Sequence, residues 1–146
     1  MKHICILTGL LVISACLFSQ DINIQQLIKE GVALNDKGDY EGAVKKYDEV
    51  LAIDKNNYIA NYEKSFTFFY MKKYDECIEI SKTLLKLEPA NPQNKSVYIN
   101  YGSAEDNNGN AEVAIRIYDE GLKAYPGFYL LYFNKDLTLV KMGKQD

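Results

Sequence analysis

A small residue followed twelve positions later by another small residue recurs along this chain, at Gly31 and Ala43, Ser65 and Cys77, Gly102 and Ala114. The first two pairs lie 34 residues apart and the next two 37. A period of that length constrains the fold more than composition does. One copy cannot bury its own apolar face, so copies must stack on one another. The tripeptide Tyr-Asp-Glu, at Tyr47, Tyr74 and Tyr118, is spaced by 27 and 44 and so does not set the period.

Between the members of each pair lies a turn. Gly38 closes one helix and Asp39 caps the next, and Gly109 with Asn110 repeats that chemistry; Lys72-Lys73 stands there in the middle copy. Stops follow at Asp54-Lys55-Asn56-Asn57, Glu88-Pro89-Ala90-Asn91 and Tyr125-Pro126-Gly127. Apolar residues between them recur at three and four, as in Val44, Tyr47, Val50, Leu51. The pattern predicts helices over 24–36, 40–53, 58–71, 74–87, 92–107, 111–124 and 128–142, with Asn91 as N-cap and Pro92 as first residue of the fifth. Each small pair is expected where two antiparallel helices cross closely.

These residues resemble the tetratricopeptide repeat. The first copy (24–57) reads Leu27, Gly31, Leu34, Gly38-Asp39-Tyr40, Ala43, Tyr47, Asp54. The second (58–91) reads Tyr62, Ser65, Phe68, Tyr74, Cys77, Leu84, Pro89. The third (95–128) reads Tyr98, Tyr101-Gly102, Ala114, Tyr118, Pro126, and a partial fourth (129–146) has Tyr132, Leu139 and Gly143. No copy has the family's tryptophan. Glu30, Lys64 and Lys135 replace an apolar residue, and Glu105 replaces a large apolar one. The resemblance implies an all-α fold of antiparallel helix-turn-helix repeats stacked in a right-handed superhelical solenoid over 20–146.

Residues 1–19 read as a secretory signal: Lys2 and His3, then an apolar run from Ile4 to Phe18. That run is short of the roughly 20 apolar residues a membrane span needs. Cleavage is expected after Ser19. Ile13-Ser14-Ala15-Cys16 also resembles a bacterial lipobox, with Cys16 as the acylated residue, although Leu17 and Phe18 follow where lipoproteins turn polar. A buried N-terminal helix is the third reading. With sixteen lysines to one arginine, the chain points to an AT-rich bacterial genome and hence to the periplasm or envelope of a Gram-negative cell, soluble or as an outer-membrane lipoprotein.

Removing the signal leaves no histidine and a single cysteine, Cys77, which excludes a histidine triad, a histidine metal site and an intrachain disulfide. The net charge of −3, with Arg116 the only arginine, argues against nucleic acid. Cys77, at a small-residue crossing, reads as filler rather than nucleophile. The stretch 106–110 lacks the sixth-position glycine and twelfth-position glutamate of a calcium loop, and no phosphate-binding glycine loop occurs. No catalytic residue, metal or cofactor is expected.

Binding is. The resemblance implies a concave groove lined by the first helix of each repeat, and carries eight residues onto it: Ile28, Val32, Tyr62, Phe66, Phe69, Tyr70, Ile99 and Ser103. Ile28 and Val32 stand where chaperone-tail binders of the family hold a carboxylate with lysine and asparagine. The reading is a non-enzymatic scaffold for a protein or peptide, with no membrane span after signal cleavage. The alternative is a docking module of a larger envelope protein, self-associating through a seventh helix that lacks its mate. Tyr47, Tyr118 and Phe68 are expected in the core, with Phe69 facing the groove.

Overall fold

In the computed structural model, residues 21–143 are described, and the segment 1–19 with Cys16 lies outside them. They fall into two units, 21–55 and 56–143.

In the first unit, α1 covers 21–36 and α2 covers Tyr40–Ile53. Gly38 joins them at φ +80°, a left-handed conformation that glycine enters without steric cost. Asp39 then caps α2, its carboxylate accepting from the Gly42 amide at 3.0 Å. The Tyr47 ring crosses α1 where Gly31 has no side chain; a Cβ there would lie 2.5 Å from Cε1. Leu27, Ala43, Tyr47 and Val50 are buried. Glu30, a polar departure from the repeat pattern, is accommodated by an ion pair to Lys46 at 3.1 Å.

The second unit holds α3 (Tyr58–Tyr70), α4 (Tyr74–Leu87), α5 (Asn94–Asn107), α6 (Ala111–Ala124) and α7 (Tyr129–Lys141). The first helices of successive repeats, α3, α5 and α7, adjoin one another in one layer, with α4 and α6 packed against them. All seven predicted helices keep their bounds to within about a turn at each end. The fifth starts at Asn94 rather than Pro92. Asn91 still organises that start, its Oδ1 accepting from the Gln93 amide at 2.8 Å, but over a separate turn.

The two intra-repeat turns here close alike. The Lys73 amide donates to the Phe68 carbonyl and Lys72 to Phe69; Asn110 donates to Glu105 and Gly109 to Asp106. This paired pattern needs a left-handed residue just past the helix. Gly109 supplies it at φ +86°, whereas Lys72 is forced to +59°. Asn110 occupies the N-cap position of α6 without a capping bond. Its amide donates instead to Glu105 Oε2 at 2.8 Å, which explains how a nearly buried glutamate replaces an apolar residue.

Asn94, one of the three residues beyond the 34-residue period, is a hub. It is buried, accepts from the Tyr58 hydroxyl at 2.6 Å, and donates to the carbonyls of Glu88 and Pro89. Leu84, Val97, Tyr118 and Leu131 form the apolar centres of the packing.

Candidate functional site

The close crossings come first because they set how far apart the helix layers lie. In the middle repeat Ser65 Oγ sits 3.4 Å from Cys77 Sγ and 3.1 Å from Ser81 Oγ, all buried. Burial pushes the Cys77 thiol above its usual range, so it stays protonated and unreactive. In the third repeat Tyr118 lies across Gly102, beside buried Ala114. Its hydroxyl meets Ser103 Oγ of α5 at 3.1 Å, and its ring packs in one cluster with Leu131 of α7. One side chain of α6 thus pins α5 to α7.

On α3 the side chains at Tyr62, Phe66 and Tyr70 stand four apart and form a ladder of rings. Tyr62 stacks on Phe66 at 6.5 Å between centroids, and Phe66 meets Tyr70 edge-on at 4.7 Å. Ile59 and Tyr70 are about half exposed (55% and 50%), and Tyr62 and Phe66 half-buried. An aromatic face left partly open along a helix is the composition that protein interfaces favour.

The eight residues assigned to a groove divide in their structural duties. Ile28 and Val32 lie half-buried on α1, in the first unit. Tyr62 packs against the Tyr58–Leu84–Val97 cluster and Ile99 against the Ala114–Tyr118–Leu131 cluster, so each is partly core. Ser103 is engaged by Tyr118. Phe66 and Tyr70 are engaged by the ring contacts of the ladder, Tyr70 with half its surface exposed.

Two expectations are corrected. Phe68 packs on the buried Cys77–Ile78–Ala104 cluster but is only half-buried, with the ammonium groups of Lys64 and Lys73 over its ring at 5.5 and 5.7 Å. Phe69 does not simply face outward: it packs against the same Cys77–Ile78–Ala104 cluster as Phe68, and against Tyr74 at 5.8 Å. The two side chains straddle the helix–helix seam.

A cleft of about 410 Å³ opens beside the start of the ladder, lined by Tyr58, Ile59, Tyr62, Glu63, Asn91 and Gln93. Its loop residues were assigned to no site by the sequence reading, in which Asn91 stands as a helix cap and Gln93 has no role. The longer second interval, 37 against 34, was the available signal that this loop does more than connect. Among the described residues no group of three His, Cys, Asp or Glu side chains is placed to hold a metal. No helix among them is long and apolar enough to cross a membrane.

No family model matches the chain. It is 29% identical over 124 residues to the TPR repeat-containing protein MJ1428 of Methanocaldococcus jannaschii, covering 78% of this chain and 21% of that one. The chain therefore spans about a fifth of that curated relative's length. Among solved structures it resembles residues 41 to the end of MamA from Desulfovibrio magneticus RS-1, with TM-score 0.74, 23% identity, and coverage of 83% and 67%. It also resembles the first TPR of Spaghetti (RPAP3) bound to the HSP90 peptide SRMEEVD, with TM-score 0.73, 16% identity, and coverage of 83% and 96%. A mutant O-GlcNAc transferase of Thermobaculum terrenum matches at TM-score 0.73 and 18% identity, over 82% of this chain and 22% of its own. With its paired helices, small-residue crossings and stacked repeats, the chain has an all-α helical-repeat fold like that of these tetratricopeptide-repeat structures.

Proposed function

We propose that the chain is an exported, non-enzymatic scaffold that binds a protein or peptide segment along the first helices of its repeats. The observation that carries this reading is the ring ladder Tyr62–Phe66–Tyr70, partly open and continuous with the cleft at Ile59. Rigid aromatic anchors are what an interface uses to gain affinity at low entropic cost. The RPAP3 domain with its bound peptide supports the general mode.

The test pairs thermal melts with a pull-down from bacterial envelope extract. Phe66→Ala and Tyr70→Ala should leave the melt within a few degrees of wild type and weaken the partner by about 1–2 kcal/mol or more. If both variants fold normally and retain every partner, the α3 face is not the working surface.

The second reading is favoured by α7. Tyr129, Phe133, Leu137 and Val140 stand exposed there, and an apolar face of that kind suits docking within a larger envelope assembly, or self-association. Appending a polar helix that covers it should reduce association if this reading holds.

Export rests on residues 1–19. N-terminal sequencing of protein made in a bacterial host should find a start near Gln20. An acylated Cys16 would make the protein an outer-membrane lipoprotein, and an intact Met1 would defeat both.

A further inference from the structure

The side chains of α7 that stay exposed recur at spacings of three and four: Tyr129, Tyr132, Phe133, Asp136, Leu137 and Val140, ending at Lys141. Before Lys141 the stripe is apolar and aromatic except for one carboxylate, Asp136. Buried residues fix how α7 compares with α5. Leu131 and Thr138 stand where α5 has Val97 and Ala104, each 34 residues later. Tyr132 and Asp136 therefore answer to Tyr98 and Gly102. On α5 that face holds a helix: α6 lays the Tyr118 ring over Gly102 and brings Gly121 against Tyr98. The open face of α7 thus has a counterpart that a helix fills, and Asp136 decides which helix can fill this one. Its carboxylate has no ion pair or hydrogen bond among the described residues.

A wholly apolar helix closing over Asp136 would strip its carboxylate of water and give nothing back, whereas a facing cation pairs the charge. A tyrosine in the manner of Tyr118 finds no bare backbone here to lie on. A second copy of α7 fails for want of a cation. It brings another Asp136, and its two lysines are already held, Lys135 by Asp119 at 2.7 Å and Lys141 by Asp106 at 2.6 Å. We propose that this face takes an amphipathic helix of a partner protein that sets a lysine or arginine against Asp136, between apolar residues at spacings of three and four. This rests on the docking reading of α7 given above and narrows it to one kind of partner. Tyr132, Phe133 and Leu137 meet the apolar residues and the methylene stem of the basic one.

The test pans a phage-displayed three-helix scaffold, one helix face randomised, against the full chain and keeps the binders lost in Phe133→Ala. These should carry lysine or arginine at one fixed position, with apolar residues three and four away. Changing that residue to glutamine should weaken binding about tenfold. Asp136→Lys, checked for folding by circular dichroism, should shift the preference at that position to Asp or Glu. Phe133-dependent binders without a basic residue, or a preference unchanged in Asp136→Lys, overturn the assignment and leave α7 standing as a docking face. If no binder depends on Phe133 or Val140, the docking reading falls as well. Dimers of the chain alone that Phe133→Glu dissolves, measured by sedimentation, would make a second copy the occupant and overturn the proposal.

Discussion

The ring of Tyr118 occupies the space in which a side chain on Gly102 would have to stand. A Cβ built on Gly102 falls 2.6 Å from Tyr118 Cζ, and the ring is itself held by Ser103 and packed with Leu131. Glycine inside a helix ordinarily costs about 0.5–1 kcal/mol relative to alanine. Here the order should reverse. Gly102→Ala is expected to lose about 1–3 kcal/mol by overpacking, read from urea unfolding. A gain in stability would mean that the α5–α6 crossing is looser than described.

Lys72 offers the opposite case. It is the one non-glycine residue with positive φ among those described, and its turn matches that of Gly109. Lys72→Gly should remove roughly 1 kcal/mol of left-handed strain and raise the melting temperature by a few degrees. An unchanged or lower melting temperature counts against strain at this turn.

Cys77 should label slowly with a thiol reagent until denaturant is added. Cys77→Ala should be tolerated, and Cys77→Phe should cost roughly 1–3 kcal/mol or more. The raised thiol pKa also has a sign. Above about pH 8.5 the unfolded thiol releases its proton while the folded one keeps it, so stability falls as pH rises. Wild type should therefore lose more stability than Cys77→Ala between about pH 8.5 and 10. Parallel pH profiles for the two proteins would contradict the burial.

Asn94 and Tyr58 should behave as one unit. Asn94→Leu leaves the Tyr58 hydroxyl and two loop carbonyls without their partner, and should cost about 2–4 kcal/mol. Tyr58→Phe alone should cost about 1–3 kcal/mol. In a double-mutant cycle the two losses should fall short of additive, because each substitution removes the same bond. Strict additivity would separate them.

How much of this was legible beforehand depended on whether a residue answered to its neighbours in sequence or to a distant helix. Helix bounds, the turn glycines and the small pairs follow local rules, so α2, α4 and α6 match their predicted spans end to end. Asn94 could not be read that way, because its partner is Tyr58, thirty-six residues earlier. Phe68 and Phe69 failed for a related reason. A helical wheel turns them about 100° apart, but the seam against Cys77 and Ala104 is wide enough to receive both. The groove residues stand between these cases: their positions on α3 and α5 were readable, while the extent to which Tyr62 and Ile99 are claimed by core packing was not. The loop side of the cleft carried only the cap signal of Asn91, which marks a helix start and no binding site.

The three crossings use two chemistries. Gly31 faces the ring of Tyr47 and Gly102 that of Tyr118, whereas Ser65 faces Ser81, the residue equivalent to those tyrosines. Copying one member of a pair from a neighbouring repeat would place a tyrosine against a serine, or leave a void beside a glycine. Recombination between the middle repeat and either neighbour is therefore viable only when the exchanged segment includes both helices. The smallest heritable module in this chain is the complete hairpin, and shorter conversion tracts should be purged.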